Sequence, residues 1–138
     1  MDIQMNMDRN RLNENRKREI KAVFEKICQA FAASDLDSAL SYFADQDEMV
    51  KISNGRVLRG KKELADYWRQ HLGNQEGPRI SIHDLEMHPI DETHVWTVAK
   101  EQIALGGQTI WAVVTNLLVL TDSGWKILLD HTSPLGPE

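Results

Sequence analysis

Polar and titratable residues end the last apolar strand that the sequence predicts. This strand, Trp125–Ser133, begins with apolar residues and finishes with Asp130, His131, Thr132 and Ser133. Carboxylates and imidazoles beside a hydrophobic core have shifted proton affinities, and acid–base catalysis uses such shifts. Asp130 and His131 are therefore the candidate catalytic residues, and Thr132 is a candidate ligand-binding residue.

Strand alternation divides this cluster between the two faces of a sheet. Successive side chains point to opposite faces, so Asp130 and Thr132 share one face and His131 takes the other, unless a bulge intervenes. A buried Asp130 needs a partner, for which Lys100 and Arg79 on other predicted strands are candidates. The structural alternatives are an ion pair for Asp130 and a core or interface position for His131.

A second polar residue interrupts the preceding apolar strand. Asn116 lies within the otherwise mainly apolar segment Trp111–Leu120. A buried amide at this position either bridges to a neighbouring strand or presents a donor to a ligand. The aromatic residues that are candidates for the walls of a ligand site are Tyr67, Trp68, Trp96 and Trp111. Packing within the core is the structural alternative for all four.

The sequence shows no pattern typical of a metal or cofactor site. Its histidines have neither H-x-H nor H-x-x-x-H spacing, and none accompanies the single cysteine, Cys28. It has no glycine-rich phosphate loop and no G-x-S-x-G nucleophile elbow. Cys28 lies beside a helical apolar stripe and reads as a small core residue rather than a nucleophile. We therefore expect no metal and no other cofactor.

Composition narrows the classes of partner. The chain has 138 residues, of which 41% are hydrophobic and 27% charged, with a net charge of −5. This length fits one domain, and the negative charge argues against nucleic-acid binding, which needs a clustered basic face. No apolar run is long enough to span a membrane, so we expect no membrane partner. One cysteine cannot form an intrachain disulfide, which favours a cytoplasmic location.

Apolar periodicity predicts helices first and strands afterwards. Residues 1–13 read as a flexible N-terminal extension, and residues 14–138 as a single domain. The predicted helices cover residues 14–33, a short segment capped by Ser34 or Asp35, and residues 61–72. The predicted strands are 49–52, its hairpin partner after Asn54-Gly55, 79–87, 94–105, 109–121 and 125–133. This order indicates an α+β domain whose last four strands form an antiparallel meander.

This element order resembles the nuclear transport factor 2-like superfamily over residues 18–134. Four local motifs carry the likeness, and the W-K-I-x-x-x-H-x-S strand points to the branch of SnoaL-like proteins and calmodulin-dependent kinase association domains. The motifs are Ala33–Asp37, Tyr42–Asp45, Leu58–Gly60 and Trp125–Ser133. The resemblance implies a cone-shaped, cystatin-like fold, with three N-terminal helices packed on a curved, mainly antiparallel sheet. It also implies a ligand site at the mouth of the cone and homodimerisation through the sheet.

The catalytic pattern of the superfamily's steroid isomerases is not matched. Their tyrosine position falls near Ile27, their base near Lys51 or Ile52, and their oxyanion aspartate within the apolar segment Ala112–Val114. A desolvated Lys51 is an alternative base, and an exposed lysine is the structural alternative. We expect a small-molecule pocket, with cofactor-free isomerase-, cyclase- or dehydratase-type acid–base chemistry on an apolar substrate. The alternative is a non-catalytic dimerisation or assembly module.

Overall fold

The structure, a computed structural model, describes residues 12–72 and 76–135, and these form three helices and six strands. Each predicted helix and strand boundary lies within two residues of the observed one. The helices are α1 (Glu14–Ala32), α2 (Leu36–Leu40) and α3 (Gly60–Leu72). The strands are β1 (Val50–Ser53), β2 (Arg56–Arg59), β3 (Arg79–Pro89), β4 (His94–Leu105), β5 (Gln108–Thr121) and β6 (Gly124–Pro134).

Helix α1 is amphipathic and packs its apolar stripe into the core. Asn13 caps its first turn, because the Asn13 side chain accepts a hydrogen bond of 2.8 Å from the Arg16 amide. The helix ends before Ser34, which has a positive φ of 57°. Leu12 is buried in the core, whereas residues 1–11 of the predicted extension lie outside the described residues. The buried side chains of α1 are Ile20, Val23, Phe24, Ile27, Ala30 and Phe31.

One mixed sheet joins all six strands of the described residues in the order β2-β1-β6-β5-β4-β3. The β3–β6 meander and the β1–β2 hairpin are antiparallel, and β1 pairs in parallel with β6. Asn54 and Gly55 both have positive φ in the hairpin turn, as a type I′ turn requires. The helices pack on one face of this sheet, where Val95, Leu118 and Ile127 join the core. The architecture is therefore α+β.

A β-bulge in β6 changes which of its residues face the helices. Leu117 pairs with Leu129, but the next residue of β5, Leu118, pairs with Ile127, so Leu128 is an extra residue in the strand. Before the bulge Ile127 is buried against the helices, and after it Asp130 is buried on the same face. Unbroken alternation from Ile127 would instead have turned His131 inward. The extra residue therefore decides which polar groups reach the interior.

A second bulge has the same effect on the edge strand β3. His83 pairs with Lys100 and Glu86 with Val98, and Asp84 between them has a φ of 54°. Bulges bend the strands that contain them, so β3 and β6, the first and last strands of the meander, are both bent. None of the described helices combines the length and the apolar character needed to cross a bilayer.

Candidate functional site

The inner face of the sheet and helices α1 and α3 surround a cavity of about 380 Å³. This volume is within the range of small-molecule sites, and mostly apolar walls with a few polar groups are typical of them. The apolar wall includes Phe24, Ile27, Phe31, Phe43, Trp68 and Ile127. The polar groups that the sheet contributes are Lys51, Ser53, Glu101, Asn116, Asp130 and Thr132.

Four polar residues form a single row across the inner face of the sheet. Thr97 on β4 pairs with Asn116 on β5, Asn116 pairs with Asp130 on β6, and Asp130 pairs with Lys51 on β1. Directly opposed side chains of neighbouring strands are in contact distance. The row therefore brings together residues from four strands, three of which line the cavity.

Asp130 is paired with Lys51 inside the cavity. Lys51 Nζ lies 2.7 Å from Asp130 Oδ1 and donates a second, longer hydrogen bond of 3.3 Å to Thr132 Oγ1. The Thr132 hydroxyl in turn donates to Asp130 Oδ1 at 3.2 Å. The Lys51 and Asp130 side chains are only 14% and 13% exposed. An ammonium has three donors, so one N–H of Lys51 is not used in these contacts.

The predicted partners of Asp130 were wrong. Lys100 is exposed on the outer face of β4, and Arg79 is exposed at the start of the edge strand. Lys51 takes their place because β1 pairs in parallel with β6, a contact between segments that are 79 residues apart. Lys51 itself is half-buried and lines the cavity, so the alternative of an exposed surface lysine is also wrong.

Glu101 is a cavity residue that the sequence interpretation missed. Burial and, as a smaller effect, the negative charge of Asp130 raise the pKa of its carboxyl to about 7, while the positive charge of Lys51 acts in the opposite direction. Within residues 12–72 and 76–135, the Glu101 carboxyl makes no hydrogen bond or ion pair. A carboxyl with a pKa near neutrality can both accept and donate a proton at physiological pH. Strand alternation could have indicated that Glu101 points inward. Glu101 follows the inward residues Val95, Thr97 and Ala99 at intervals of two.

Asn116 and Thr97 are buried polar residues with unused hydrogen-bonding capacity. Asn116 is 2% exposed and lines the cavity, whereas Thr97 is 1% exposed and is not part of the cavity wall. Neither Asn116 Oδ1 nor Thr97 Oγ1 has a hydrogen-bond partner among the described residues. Unpaired buried polar atoms are rare in folded proteins, so this pair marks an unusual position.

The structure places three of the predicted site residues outside the cavity. Trp96 and Trp111 are each 40% exposed on the outer face of the sheet, where Trp96 stacks on His88 and Trp111 contacts His83. His131 is exposed on that face too. The two tryptophans alternate with inward residues of their strands, and the bulge at Leu128 turns His131 outward. Trp96 and Trp111 are therefore not walls of the cavity, and the candidate catalytic residue His131 lies on the face opposite Asp130, as strand alternation predicted.

The two aromatic residues predicted on the third helix do line the cavity. Trp68 is 4% exposed and packs edge-to-face on Phe31 and Phe43, with ring centroids 5.0 and 5.5 Å away. Tyr67 stacks on His71 at 4.1 Å. Trp68 is therefore both a core residue and a wall of the cavity, and Tyr67 forms an adjoining part of the wall.

Cys28 lies on the α1 side of the cavity. Burial raises the pKa of its thiol to about 11, and the charges of Glu101 and Glu25 add to this effect. The thiol is therefore protonated at neutral pH, and a protonated thiol is a poor nucleophile. Within the described part of the chain, no group of three or more His, Cys, Asp or Glu side chains is arranged to hold a metal ion.

Comparison with known structures supports the fold. A nuclear transport factor 2-like protein of unknown function from Shewanella oneidensis is 20% identical, with a TM-score of 0.76, and the match covers 85% of this chain and 98% of that one. A proposed dehydratase of the same family from Streptomyces avermitilis is 17% identical, with a TM-score of 0.80 and coverage of 91% and 100%. No curated protein matches the chain.

A third similar structure represents the kinase association domains, the second class of protein in the predicted branch. It is a proposed association domain of calcium/calmodulin-dependent protein kinase type II from Thiobacillus denitrificans, 25% identical, with a TM-score of 0.70 and coverage of 84% and 94%. The sequence also matches the family described as SnoaL-like domain over residues 20–137. The predicted resemblance is confirmed: this chain belongs to the SnoaL-like domain family and has the nuclear transport factor 2-like fold.

Proposed function

We propose that the protein binds a small, mainly apolar molecule in the cavity and carries out cofactor-free acid–base chemistry on it. The observation that carries this proposal is Glu101, a desolvated carboxyl with a pKa of about 7 that faces a cavity of about 380 Å³. Functional sites are where desolvated titratable groups and cavities coincide. A solidly filled interior would have favoured the assembly role instead.

Glu101 and Lys51 take complementary roles in the proposed chemistry. The Glu101 carboxylate removes a proton from a carbon beside an electron-withdrawing group, and the bonding electron pair moves toward that group. The unused N–H of Lys51 stabilises the negative charge that develops there. Return of the proton to another carbon gives an isomer, and its transfer to a departing hydroxyl gives water and a dehydrated product.

Asp130 acts as a positioning residue in this scheme. Its Oδ1 holds the Lys51 ammonium at 2.7 Å, and the Thr132 hydroxyl contacts both groups. The contact fixes the position of the Lys51 ammonium within the cavity. The catalytic role predicted for Asp130 thus becomes an indirect one, and the exposed His131 has no part in it.

Proton exchange into a simple carbonyl compound tests the proposal. In deuterium oxide, 2-tetralone should exchange its acidic C–H hydrogens faster with the protein than with buffer alone, as followed by proton NMR. Glu101→Gln should remove about 100-fold or more of the acceleration, the usual contribution of a general base. Glu63→Gln, on the exposed face of α3, is the matched control and should not change it. Full acceleration in Glu101→Gln would disprove the role of Glu101.

A cavity-blocking variant tests the location of the site. Ile103→Trp on β4 fills the cavity from a wall position and should abolish both binding and exchange. Lys100→Trp adds the same side chain to the outer face of the same strand and should leave both unchanged. Equal activity in the two variants would move the site away from the cavity.

The outer face of the sheet supports a second, compatible proposal, that the protein forms a homodimer. Trp96 and Trp111 are each 40% exposed there, which places two large apolar groups on this face. Dimerisation through this face leaves the cavity on the opposite face free, so ligand binding and assembly do not compete. Trp111→Glu should convert a dimer to a monomer in analytical ultracentrifugation; an unchanged mass would exclude this interface. The single cysteine suits a reducing compartment, and we propose a cytoplasmic location.

A further inference from the structure

Asn116 costs the protein stability unless something in the cavity uses it. Its side chain is almost fully buried, lines the cavity and has a carbonyl oxygen without a partner in residues 12–72 and 76–135. An unsatisfied buried acceptor is destabilising, whereas an apolar residue of the same shape at the same place is neutral or stabilising. A purely structural position in this apolar strand would therefore favour leucine or valine.

The groups next to Asn116 indicate what it recognises. Its cross-strand neighbour Asp130 uses Oδ1 to bind Lys51 and Thr132, and Oδ2 takes part in neither contact. Lys51 on the next strand retains one free N–H. The row thus offers acceptors at Asn116 and Asp130, and the amide nitrogen of Asn116 is a donor beside them. A hydroxyl group, which donates one hydrogen bond and accepts others, matches this set.

The charge of the cavity wall is unfavourable for an anionic ligand. Among the described residues, Lys51 is the only lysine or arginine that lines the cavity, and Asp130 already neutralises it. Ionisation of Glu101 adds a negative charge to the wall. A carboxylate or phosphate entering the cavity would lose its hydration without gaining a free cation, which is unfavourable.

We propose that Asn116 is a specificity-determining residue that selects neutral ligands bearing a hydroxyl at the end that reaches the polar row. This inference rests on the proposed ligand-binding function of the cavity and names the ligand chemistry that the cavity prefers. Asn116 binds the ligand hydroxyl together with Asp130, which leaves the unused N–H of Lys51 for the charge that develops in the reaction, and the aromatic walls hold the apolar body. It is not required for proton transfer by Glu101.

A matched set of bicyclic probes tests the requirement for a hydroxyl. The probes are 2-naphthol, 2-methylnaphthalene, which replaces the hydroxyl by a methyl group, and 2-naphthoate, which carries a negative charge. We expect the wild-type protein to bind 2-naphthol about 5- to 10-fold more tightly than 2-methylnaphthalene, as one or two neutral hydrogen bonds would give. It should bind 2-naphthoate most weakly, and equilibrium dialysis at pH 7 measures all three.

The variant Asn116→Leu should lose this discrimination while keeping its affinity for 2-methylnaphthalene. It should also melt at a higher temperature than the wild type, because an unpaired buried polar group is removed. Asn116→Val, which suits a strand, is the second variant if the leucine does not fit. Thr97→Val is the control: it removes the neighbouring unpaired hydroxyl outside the cavity, so it should raise the melting temperature and leave the probe preference intact.

The outcomes separate this inference from the function on which it rests. Binding of both neutral probes without a preference for 2-naphthol would overturn the inference and leave the cavity as a ligand site. A lower melting temperature in both Asn116 variants with unchanged discrimination would show a purely structural role. Tighter binding of 2-naphthoate than of 2-naphthol would overturn the requirement for a neutral ligand. Failure of all three probes to bind would overturn the proposed pocket function and the inference together.

Discussion

Lys51 and Asp130 are directly opposed across the parallel β1–β6 contact, and their charged atoms lie 2.7 Å apart in the cavity. The same contact joins the N-terminal hairpin to the four-stranded meander, so the ion pair lies at the junction of the two parts of the sheet. The pair therefore contributes both to the assembly of the sheet and to the polarity of the site.

Removal of Lys51 should be strongly destabilising. Lys51→Met leaves the Asp130 carboxylate buried without a cation, which should lower the free energy of unfolding by about 3–5 kcal/mol in urea titrations. The double variant Lys51→Met/Asp130→Leu should recover most of this loss, since apolar replacement of a whole buried pair is often neutral.

A more exposed ion pair of the same protein provides the control for the Lys51 variants. Lys61 Nζ lies 2.6 Å from Asp45 Oδ1, but the Asp45 side chain is 92% exposed. Lys61→Met should lower the free energy of unfolding by less than about 1 kcal/mol, because water solvates the exposed Asp45 carboxylate and screens the pair. Equal losses in Lys51→Met and Lys61→Met would show that burial of the first pair has no energetic consequence.

Glu101 should make the protein less stable as the pH rises. The folded state raises the carboxyl pKa from its ordinary value of 4.5 to about 7, so the folded protein binds this proton more tightly than the unfolded chain does. The stabilisation is complete below about pH 4.5 and is lost as the pH rises through about 7. The unfolding free energy of Glu101→Gln minus that of the wild type should therefore increase by up to about 3 kcal/mol from pH 4 to pH 8.

Chemical denaturation at a series of pH values measures this difference. Other titrating groups affect the wild type and the variant alike, so subtracting the two curves isolates Glu101. Glu63→Gln, exposed on α3, should give a difference that does not vary with pH. A flat difference for Glu101→Gln as well would mean that the Glu101 carboxyl is fully solvated in the folded protein.

Cys28 should react slowly with alkylating reagents. Its thiol has a pKa of about 11 in place of 9.0, so the reactive thiolate is about 100-fold scarcer at pH 8. The rate of iodoacetamide labelling, followed by mass spectrometry, should rise about tenfold per pH unit up to pH 10. The guanidinium-unfolded protein should react at the rate of an ordinary cysteine. A fast reaction of the folded protein that levels off near pH 9 would contradict the proposed burial.

Gly77 should not tolerate a side chain. A Cβ atom at this position would lie 1.7 Å from the Phe31 carbonyl oxygen, and the Gly77 amide donates a hydrogen bond of 3.0 Å to Ser34 Oγ. Gly77→Ala should therefore displace the segment that leads to the cavity residue Pro78, with a loss of about 3 kcal/mol in unfolding free energy. Gly106→Ala, with a φ of 60° and no atom within 4 Å of the new Cβ, should lose only about 1 kcal/mol. Similar losses would rule out the clash.

Local pattern was sufficient to predict the helices, the strands and that Asp130 and Thr132 share one face of the sheet. It did not show which face, because the extra residue Leu128 decides that. Helical and strand periods are properties of neighbouring residues, so they are visible in the sequence. The partner of Asp130 is not a local property, because the β1–β6 pairing joins Lys51 to a strand 79 residues later. Trp96 and Trp111 were predicted in the site by residue type alone, and the phase of their own strands excludes them.

Glu101 shows the limit of interpretation by residue type. In the sequence it follows Lys100 in an ordinary charged dipeptide. Its burial depends on helix α1, which lines the same cavity, and on strand β3, which pairs beside that part of β4; neither contact is specified by a local pattern. The pKa shift of Glu101 is therefore a property of the assembled fold, and a sequence-based search for catalytic carboxylates passes over it.

The extra residue Leu128 has a consequence for comparing this chain with its relatives. In a sequence alignment, residues that follow Leu128 face the same side of the sheet in two proteins only if both proteins carry this additional residue. In a relative without it, the positions aligned with Asp130 and Thr132 would point to the outer face of the sheet, and the position aligned with His131 would face the cavity. A single insertion or deletion can thus exchange the chemistry of two surfaces without changing any side chain, so a gap in β6 is as informative about function as a substitution.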